Sequence, residues 1–393
     1  MARLALALIA LTSFLPLAPQ GRGDDEVCPW CKNDPALMAA AGVVSHGPIA
    51  IGPRGSADIV EKLVAKQWIF LETAHLRWAS SMGPAAVDQK DKERVEAELA
   101  RLRKVLPDVP AKVKRLDPWL RLHLFAMRGE ELYARFQSLL GVTDADFPES
   151  RKADGPYMGD GRFLGEKDKF EVVIHTSRAS HYAFTEDFTG VRVADSFRYH
   201  VPEKHKLIVS VPAEDADLRE DRWLFPHVAH NLSHVFFVAY KHFSYDPPIW
   251  LDEGLAHAIE KEIEPLSQTT DGEEGSLRDT KGPTNWQATA HELVLKKKAA
   301  NTATLMHVKE FGELDMDANV VGWSRVRFLL EAHPQAFARF LGGIKGQLDA
   351  QGYPSGTDLP SLQRNLLKEL WGWTPADFDA AWEAWVNAQD PRG

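Results

Sequence analysis

The fold is decided by two neighbouring stretches: residues 221–240 read DRWLFPHVAHNLSHVFFVAY, and residues 250–260 read WLDEGLAHAIE. Apolar residues recur at helical spacing in both, and turn residues at 245–248 separate them, so the sequence predicts two consecutive helices. His230 and His234 lie four positions apart on one face of the first helix. Two imidazoles so placed can bind one Zn²⁺, with a carboxylate from a second element as third ligand and water as fourth. Glu253 in the second helix is the candidate third ligand.

The spacing between the two stretches makes this interpretation specific, because an isolated histidine pair on an apolar helix is more often a packed core pair. Here eighteen residues separate His234 from Glu253, which lies in the phrase WLDEGLA. Together the stretches resemble the zinc site of the gluzincin metallopeptidases, the thermolysin and aminopeptidase-N group, in which H-E-x-x-H is followed by a ligand glutamate in a W-L-x-E-G-x-A phrase. The resemblance implies that His230, His234 and Glu253 bind one zinc ion, and that Glu260 orients a zinc-binding histidine.

The chain departs from this family at the residue that acts as general base. The position after the first histidine, a glutamate in the family, is Asn231. An amide cannot take a proton from metal-bound water, and general-base catalysis typically contributes about 10²–10⁴ in rate. Many such domains also carry a tyrosine near position 319, where this chain has Asn319, Val320 and Val321. We therefore expect a zinc-binding protein that is weakly active or inactive as a peptidase and that binds a peptide or a protein partner.

Two alternatives remain open at this stage. The first is an active zinc metallohydrolase with an unusual base, for which His227 and Asp252 are the candidates. Each has a competing interpretation, since His227 could instead be a fourth zinc ligand and Asp252 points about 100° away from Glu253, as a solvated or capping acid would. His257 is expected to pack beside the zinc ligands and orient them. The second alternative is an envelope interaction module that keeps the fold without the metal.

The pattern along the rest of the chain predicts an α+β fold, with a small β-sheet lobe before the helix pair and a helical C-terminal lobe after it. The resemblance to the gluzincins implies that the sheet lobe packs on the zinc-bearing helix pair. The expected regions are a signal peptide at 1–22, an extended arm with the cysteines at 23–55, a helical N-terminal region at 56–150, the sheet and metal-site helices at 151–265, and the C-terminal lobe at 266–393. In the family that the chain resembles, an edge strand of the sheet holds an extended peptide, and the strand at 206–211 is the candidate for that role.

The N-terminal segment predicts export. An apolar stretch at 4–18 follows Arg3 and precedes small or polar residues, as in a secretory signal peptide, so a secreted, periplasmic or envelope protein without a stable transmembrane anchor is expected. The two cysteines, Cys28 and Cys31, form a C-x-x-C motif, for which a local disulfide is the default in an oxidising compartment. A metal site shared with His46 or another histidine is the alternative.

Composition narrows the class of partner. The 393 residues are 44% hydrophobic and 26% charged, as in a folded protein large enough for more than one lobe. The formal net charge of −10 argues against nucleic acid as a main partner, because phosphate binding needs a concentrated basic surface.

Overall fold

The secondary structure was taken from a computed structural model, which describes residues 27–151, 155–214, 217–269 and 282–391. The predicted signal peptide at 1–22 lies outside these ranges. The strands are β1 (Ala50–Ile51), β2 (Arg54–Gly55), β3 (Ile69–Glu72), β4 (Leu76–Ser80), β5 (Ala85–Ala86), β6 (Arg115–Leu116), β7 (Phe170–His175), β8 (Phe197–Val201) and β9 (Lys206–Pro212). The helices are α1 (Pro35–Ala40), α2 (Ser56–Lys62), α3 (Lys92–Arg103), α4 (Pro118–Leu140), α5 (Arg178–Thr189), α6 (Asp221–Ala239), α7 (Ile249–Ile263), α8 (Trp286–Leu295), α9 (Thr302–Leu305), α10 (Met316–Ala332), α11 (Pro334–Ile344), α12 (Leu359–Trp371) and α13 (Pro375–Ala388).

A five-stranded mixed sheet with the order β3-β4-β7-β9-β8 lies beside the predicted metal helix. β4, β7 and β9 are parallel to one another, whereas β3 and β8 pair antiparallel at the two edges. The prediction that the strand at 206–211 is an edge strand is wrong, because β9 lies between β7 and β8. All seven residues of β9 are buried, as its nearly continuous apolar sequence would require of an interior strand. The edge strand on this side of the sheet is β8, which pairs with β9.

The sheet also crosses the expected boundary at residue 150. The segment at 67–80 folds into the antiparallel pair β3 and β4, and β4 pairs with β7 from the following region. The N-terminal and central regions therefore share one sheet. α5, which the sequence did not predict, connects β7 to β8 and packs on that sheet.

The two predicted site helices are α6 and α7, and both are buried along most of their length. Pro226 lies inside α6 rather than in its first turn. Gly254 of α7 faces α10, not α6: a Cβ at this position would lie 2.8 Å from the backbone oxygen of Gly322 and 2.8 Å from Val326. The absence of a side chain at Gly254 thus lets α7 approach α10 closely.

The α+β prediction is confirmed in its coarse form, with a small sheet followed by a helical C-terminal region from α8 to α13. Hydrophobic residues from the sheet, α4, α6, α7 and the C-terminal helices join in one large core. A search of the ranges given above finds no helix with the length and apolar character needed to cross a membrane.

Candidate metal centre

His230 and His234 point from α6 toward each other and toward Glu253 of α7. Their Nε2 atoms lie 3.2 Å apart, and the Glu253 Oε1 atom lies 3.9 Å from Nε2 of His234. Two nitrogen ligands, each 2.0–2.1 Å from a tetrahedral zinc ion, are separated by about 3.3–3.4 Å. The three side chains are almost completely buried, with 0%, 1% and 4% of their surface exposed. The three predicted ligands therefore converge at a spacing that could hold one metal ion.

Asp252 fixes the orientation of His234. Its Oδ2 atom lies 2.7 Å from Nδ1 of the imidazole, so the ring donates its Nδ1 proton to Asp252. The lone pair of Nε2 then points toward His230. The expectation of a solvated or capping acid is wrong, because Asp252 is only 4% exposed and the N-cap of α7 is Pro248, with Asp252 inside the first turn. Asp252 and Glu253 point in different directions around α7, so Asp252 meets Nδ1 of His234 while Glu253 faces its Nε2.

Glu260 has the corresponding position behind His230, with Oε2 3.4 Å from Nδ1 of that ring. Its other oxygen, Oε1, accepts hydrogen bonds from the Ser267 hydroxyl and from both the amide and the hydroxyl of Thr269. Burial raises the pKa of Glu260, but its contacts with His230 and His257 outweigh burial and hold the pKa well below its usual range. Glu260 is thus an anion that can orient His230, as the resemblance implies.

His257 lies between the two glutamates of α7. Its Nδ1 is 3.1 Å from Oε2 of Glu260, and its Nε2 is 3.4 Å from Oε2 of Glu253. Burial lowers the pKa of His257 to about 4, so the ring is neutral at neutral pH. His230, His257 and Glu260 form a second group whose ligand atoms lie within 4.8 Å of one another. The group with His234 is the better metal site, because His234 lines an open cleft and neither His257 nor Glu260 does.

The converging Nε2 atoms of His230 and His234 create an electrostatic demand. Both rings present Nδ1 to a carboxylate, Glu260 or Asp252, which favours a proton on Nδ1 and leaves Nε2 as an acceptor. Two Nε2 atoms 3.2 Å apart in a buried place need either a shared proton or a cation between them. A zinc ion would meet this demand, and burial lowers the pKa of His234, which favours the neutral ring that binds a metal.

Asn231 is completely buried, and its amide is held at both ends. Its nitrogen donates to the backbone oxygen of His227 at 3.0 Å, and its Oδ1 accepts from Nη1 of Arg198 at 3.1 Å. Arg198 belongs to β8, and its guanidinium lies 5.8 Å from the ring centre of Phe311. The ring of Phe311 contacts His234 edge-on, with the ring centres 6.0 Å apart. The position of the family's general base is therefore occupied by a neutral amide paired with an arginine.

His227 is engaged elsewhere, with Nε2 2.5 Å from the Ser196 hydroxyl and Nδ1 3.1 Å from the Thr269 hydroxyl. Among the described residues, the groups able to hold a metal do not include it. The structure therefore does not bring His227 to the other ligands as a fourth, and both of its ring nitrogens already have hydroxyl partners.

A cleft of about 920 Å³ opens beside His234 and Asp252. Its walls come from β8, from the connection between α6 and α7, and from the segments around Phe311 and α12; they include Arg198, Tyr199, His200, Asp246, Phe311 and Gln363. Neither Arg198 nor Phe311 was predicted from the sequence as a site residue. The available signal for Arg198 was its position in a strand pattern upstream of the metal helix, whereas Phe311 lies in a short 3-10 helix without any motif.

The predicted disulfide between Cys28 and Cys31 is not formed, because both thiols are free and buried. Each sulfur instead lies against a histidine: Cys28 Sγ is 3.3 Å from Nε2 of His123, and Cys31 Sγ is 3.0 Å from Nε2 of His46.

The geometry is the main guide to this protein, since comparison with models of known protein families finds no match and comparison with curated protein sequences finds none either.

Proposed function

We propose that this chain is an exported, gluzincin-like protein that binds one zinc ion through His230, His234 and Glu253 and holds an extended peptide beside it with little or no hydrolysis. The observation that carries the proposal is the 3.2 Å approach of the two Nε2 atoms, each on a ring whose Nδ1 faces a carboxylate. Export rests on the sequence of residues 1–22 alone.

The zinc ion would be held by three protein ligands and would keep one coordination position for water or for a ligand. When bound, such an ion acts as a Lewis acid toward a carbonyl oxygen. Glu260 and Asp252 hold the two imidazoles in the tautomer that binds metal, and Phe311 covers one side of His234. These residues form an oriented, partly enclosed site that opens to the cleft.

Weak or absent hydrolysis follows from the groups around position 231. The Asn231 amide cannot accept a proton, and Arg198 carries a positive charge beside it. Of the substitutes, His227 has hydroxyl partners on both nitrogens and Asp252 is bonded to His234. Without a general base, turnover should fall by about 10²–10⁴ relative to a site that has one.

A peptide is the ligand that the cleft fits best. β8 is the last strand of the sheet on its side, and Arg198, Tyr199 and His200 line the cleft along it. An extended peptide can add to such an edge through main-chain hydrogen bonds, while side-chain pockets supply specificity. Arg198 and Lys309 could pair with carboxylates of the peptide, and Asp246 and Glu310 with basic groups.

The test compares four forms of the full chain: wild type, His230→Ala, Asn231→Glu and the matched control Asn231→Gln. The ligand probe is a dipeptide hydroxamate, which combines a peptide backbone with a zinc-binding group. We expect zinc-dependent binding by wild type and none by His230→Ala. Hydrolysis of casein-derived peptides should be at the His230→Ala background in wild type and Asn231→Gln, and should rise in Asn231→Glu, whose new carboxylate would lie beside Arg198.

Substantial zinc-dependent hydrolysis by wild type, abolished in His230→Ala, would overturn the inactive assignment and favour an active metallohydrolase with another base. Failure of wild type to bind either zinc or the hydroxamate would leave an interaction module without metal.

A further inference from the structure

A second group of metal-binding side chains lies far along the chain from α6 and α7. It consists of Cys28 and Cys31 of the N-terminal arm, His46 of the segment before β1, and His123 of α4. All four are buried: the cysteines are 0% exposed, His46 is 6% exposed and His123 is 2% exposed. Three separate segments thus direct two sulfurs and two imidazoles to one place in the core.

The distances fit one tetrahedral ion. The four ligand atoms lie within 4.8 Å of one another, with the two sulfur–nitrogen contacts at 3.3 Å and 3.0 Å. Around a tetrahedral zinc ion with bonds of 2.3 Å to sulfur and 2.0–2.1 Å to nitrogen, a sulfur and a nitrogen are about 3.5–3.6 Å apart. Small side-chain shifts would bring the group to this geometry.

Backbone amides point at both sulfurs, although without a metal the hydrogen bond to Cys31 and burial raise the pKa of Cys28. The amides of Trp30 and Cys31 contact the sulfur of Cys28, and the amide of Asn33 contacts the sulfur of Cys31. Lys32 and Asn33 have φ angles of 56° and 52°, which turn the chain back over the sulfurs. Backbone amides directed at a sulfur favour its negatively charged form, which is the form that binds metals.

The histidines are also held for ligation through Nε2. Nδ1 of His46 lies 3.1 Å from the backbone oxygen of Phe70 in β3, so the ring donates there and leaves Nε2 as an acceptor toward Cys31. The ring of Trp119 packs edge-on against His46, with the ring centres 4.9 Å apart. This support behind the ligand is the arrangement that metal-binding histidines commonly have.

Charge balance selects a divalent ion. Two thiolates buried without a counter-ion would be costly, whereas two thiolates and one Zn²⁺ are together neutral. A role in thiol–disulfide exchange does not fit, since both sulfurs are fully buried and an exchange partner needs access to one of them.

We propose that Cys28, Cys31, His46 and His123 form a closed, structural zinc site that fastens the N-terminal arm to α4 and β3. With four protein ligands the ion has no position for substrate, which separates this site from the one between α6 and α7. The site goes beyond the proposed function and is independent of it, because the two sites share no residue.

The test counts zinc per chain by mass spectrometry of the metal in full-length protein purified without chelators, in wild type, Cys31→Ser and His230→Ala. We expect two zinc ions in wild type, and Cys31→Ser should lose the one that His230→Ala keeps. Because loss of a structural ion can prevent folding of Cys31→Ser, Co²⁺ is also substituted into wild type. Cobalt bound by thiolate gives a sulfur-to-metal charge-transfer band in the near ultraviolet, and we expect this band in wild type and in His230→Ala.

Three results would overturn the proposal: zinc content unaffected by Cys31→Ser, cobalt protein without the charge-transfer band, or a Cys28–Cys31 disulfide in freshly purified wild type. Failure of the site in α6 and α7 has a different signature, a single zinc ion that is lost in Cys31→Ser and kept in His230→Ala.

Discussion

The two candidate metal sites each contain two histidines but differ in the other ligands. Between α6 and α7, His230 and His234 converge with one glutamate, and His234 lines a cleft. Where the N-terminal arm meets α4, His46 and His123 converge with two cysteines, and all four side chains are buried. As proposed, the first site would have three protein ligands with His234 beside a cleft, and the second would have four protein ligands.

The number of protein ligands separates an ion that can bind a further ligand from an ion that only stabilises the fold. An ion with an open position can contact a ligand, and the residues around it then decide whether chemistry follows. At the open site those residues are Asn231 and Arg198, which suit binding better than proton transfer. An ion with four protein ligands can only hold segments together, so its loss should be measured as lost stability.

The largest expected effect is removal of zinc from the closed site. The His230→Ala variant isolates this site, because it lacks a ligand of the open one. Zinc held at about 1,000 times its dissociation constant contributes about 4 kcal/mol to the free energy of unfolding. We expect a strong chelator to lower the unfolding free energy of His230→Ala by about that amount, measured by denaturant titration. An unfolding curve unchanged by the chelator would contradict a structural zinc site.

Gly254→Ala should disturb the open site through the backbone. The new Cβ would meet the Gly322 oxygen at 2.8 Å, so α7 must move away from α10 and carry Glu253 with it. Overpacking of this kind costs about 1–3 kcal/mol. We expect a lower melting temperature and weaker binding of one zinc ion. The control is Gly83→Ala, where a Cβ would have no neighbour within 4 Å; equal effects of the two substitutions would argue against the close helix contact.

Glu260→Gln should weaken zinc binding at the open site alone. The amide keeps the size of the side chain but removes the charge that orients His230. Loss of such a partner lowers metal affinity by about 10–100-fold. Competition with a chromophoric chelator would measure the change, and Glu262→Gln, an exposed position of the same helix paired with Arg135, is the matched control. Unchanged affinity in Glu260→Gln would remove it from the site.

Arg198→Ala should have the smallest effect and should act on the ligand rather than on the metal. It removes the contact with Asn231 and one positive charge from the cleft. A hydrogen bond of this kind contributes about 1 kcal/mol, so hydroxamate binding should weaken roughly fivefold at constant zinc content. Isothermal titration calorimetry would measure it beside Arg192→Ala, an exposed arginine paired with Glu186. A loss of zinc in Arg198→Ala would show that the residue supports the metal site instead.

The sequence predicted the open site because its ligands lie on two helices with regular periodicity. The helical repeat places His230 above His234, and the turn at 245–248 returns the chain with Glu253 facing them. The same reasoning failed for Asp252, since its contact with His234 depends on how α7 packs against α6. Periodicity assigns a direction to a side chain, but the packing of helices decides what it meets.

Long-range assembly explains the other differences. β9 is interior because it pairs with β7 as well as with β8, and no local pattern encodes its pairing with β7, so β9 was mistaken for an edge. The closed site depends on three segments that are separated by up to 95 residues. Its C-x-x-C motif was visible, but His123 lies in a helix whose apolar pattern predicts only packing.

The most direct test of the central claim is anomalous X-ray scattering at the zinc absorption edge from crystals of the full chain grown without chelators. The account predicts an anomalous peak between Nε2 of His230 and Nε2 of His234, within bonding distance of the Glu253 carboxylate. A crystal with zinc at Cys28 and Cys31 but no peak between these histidines would contradict it.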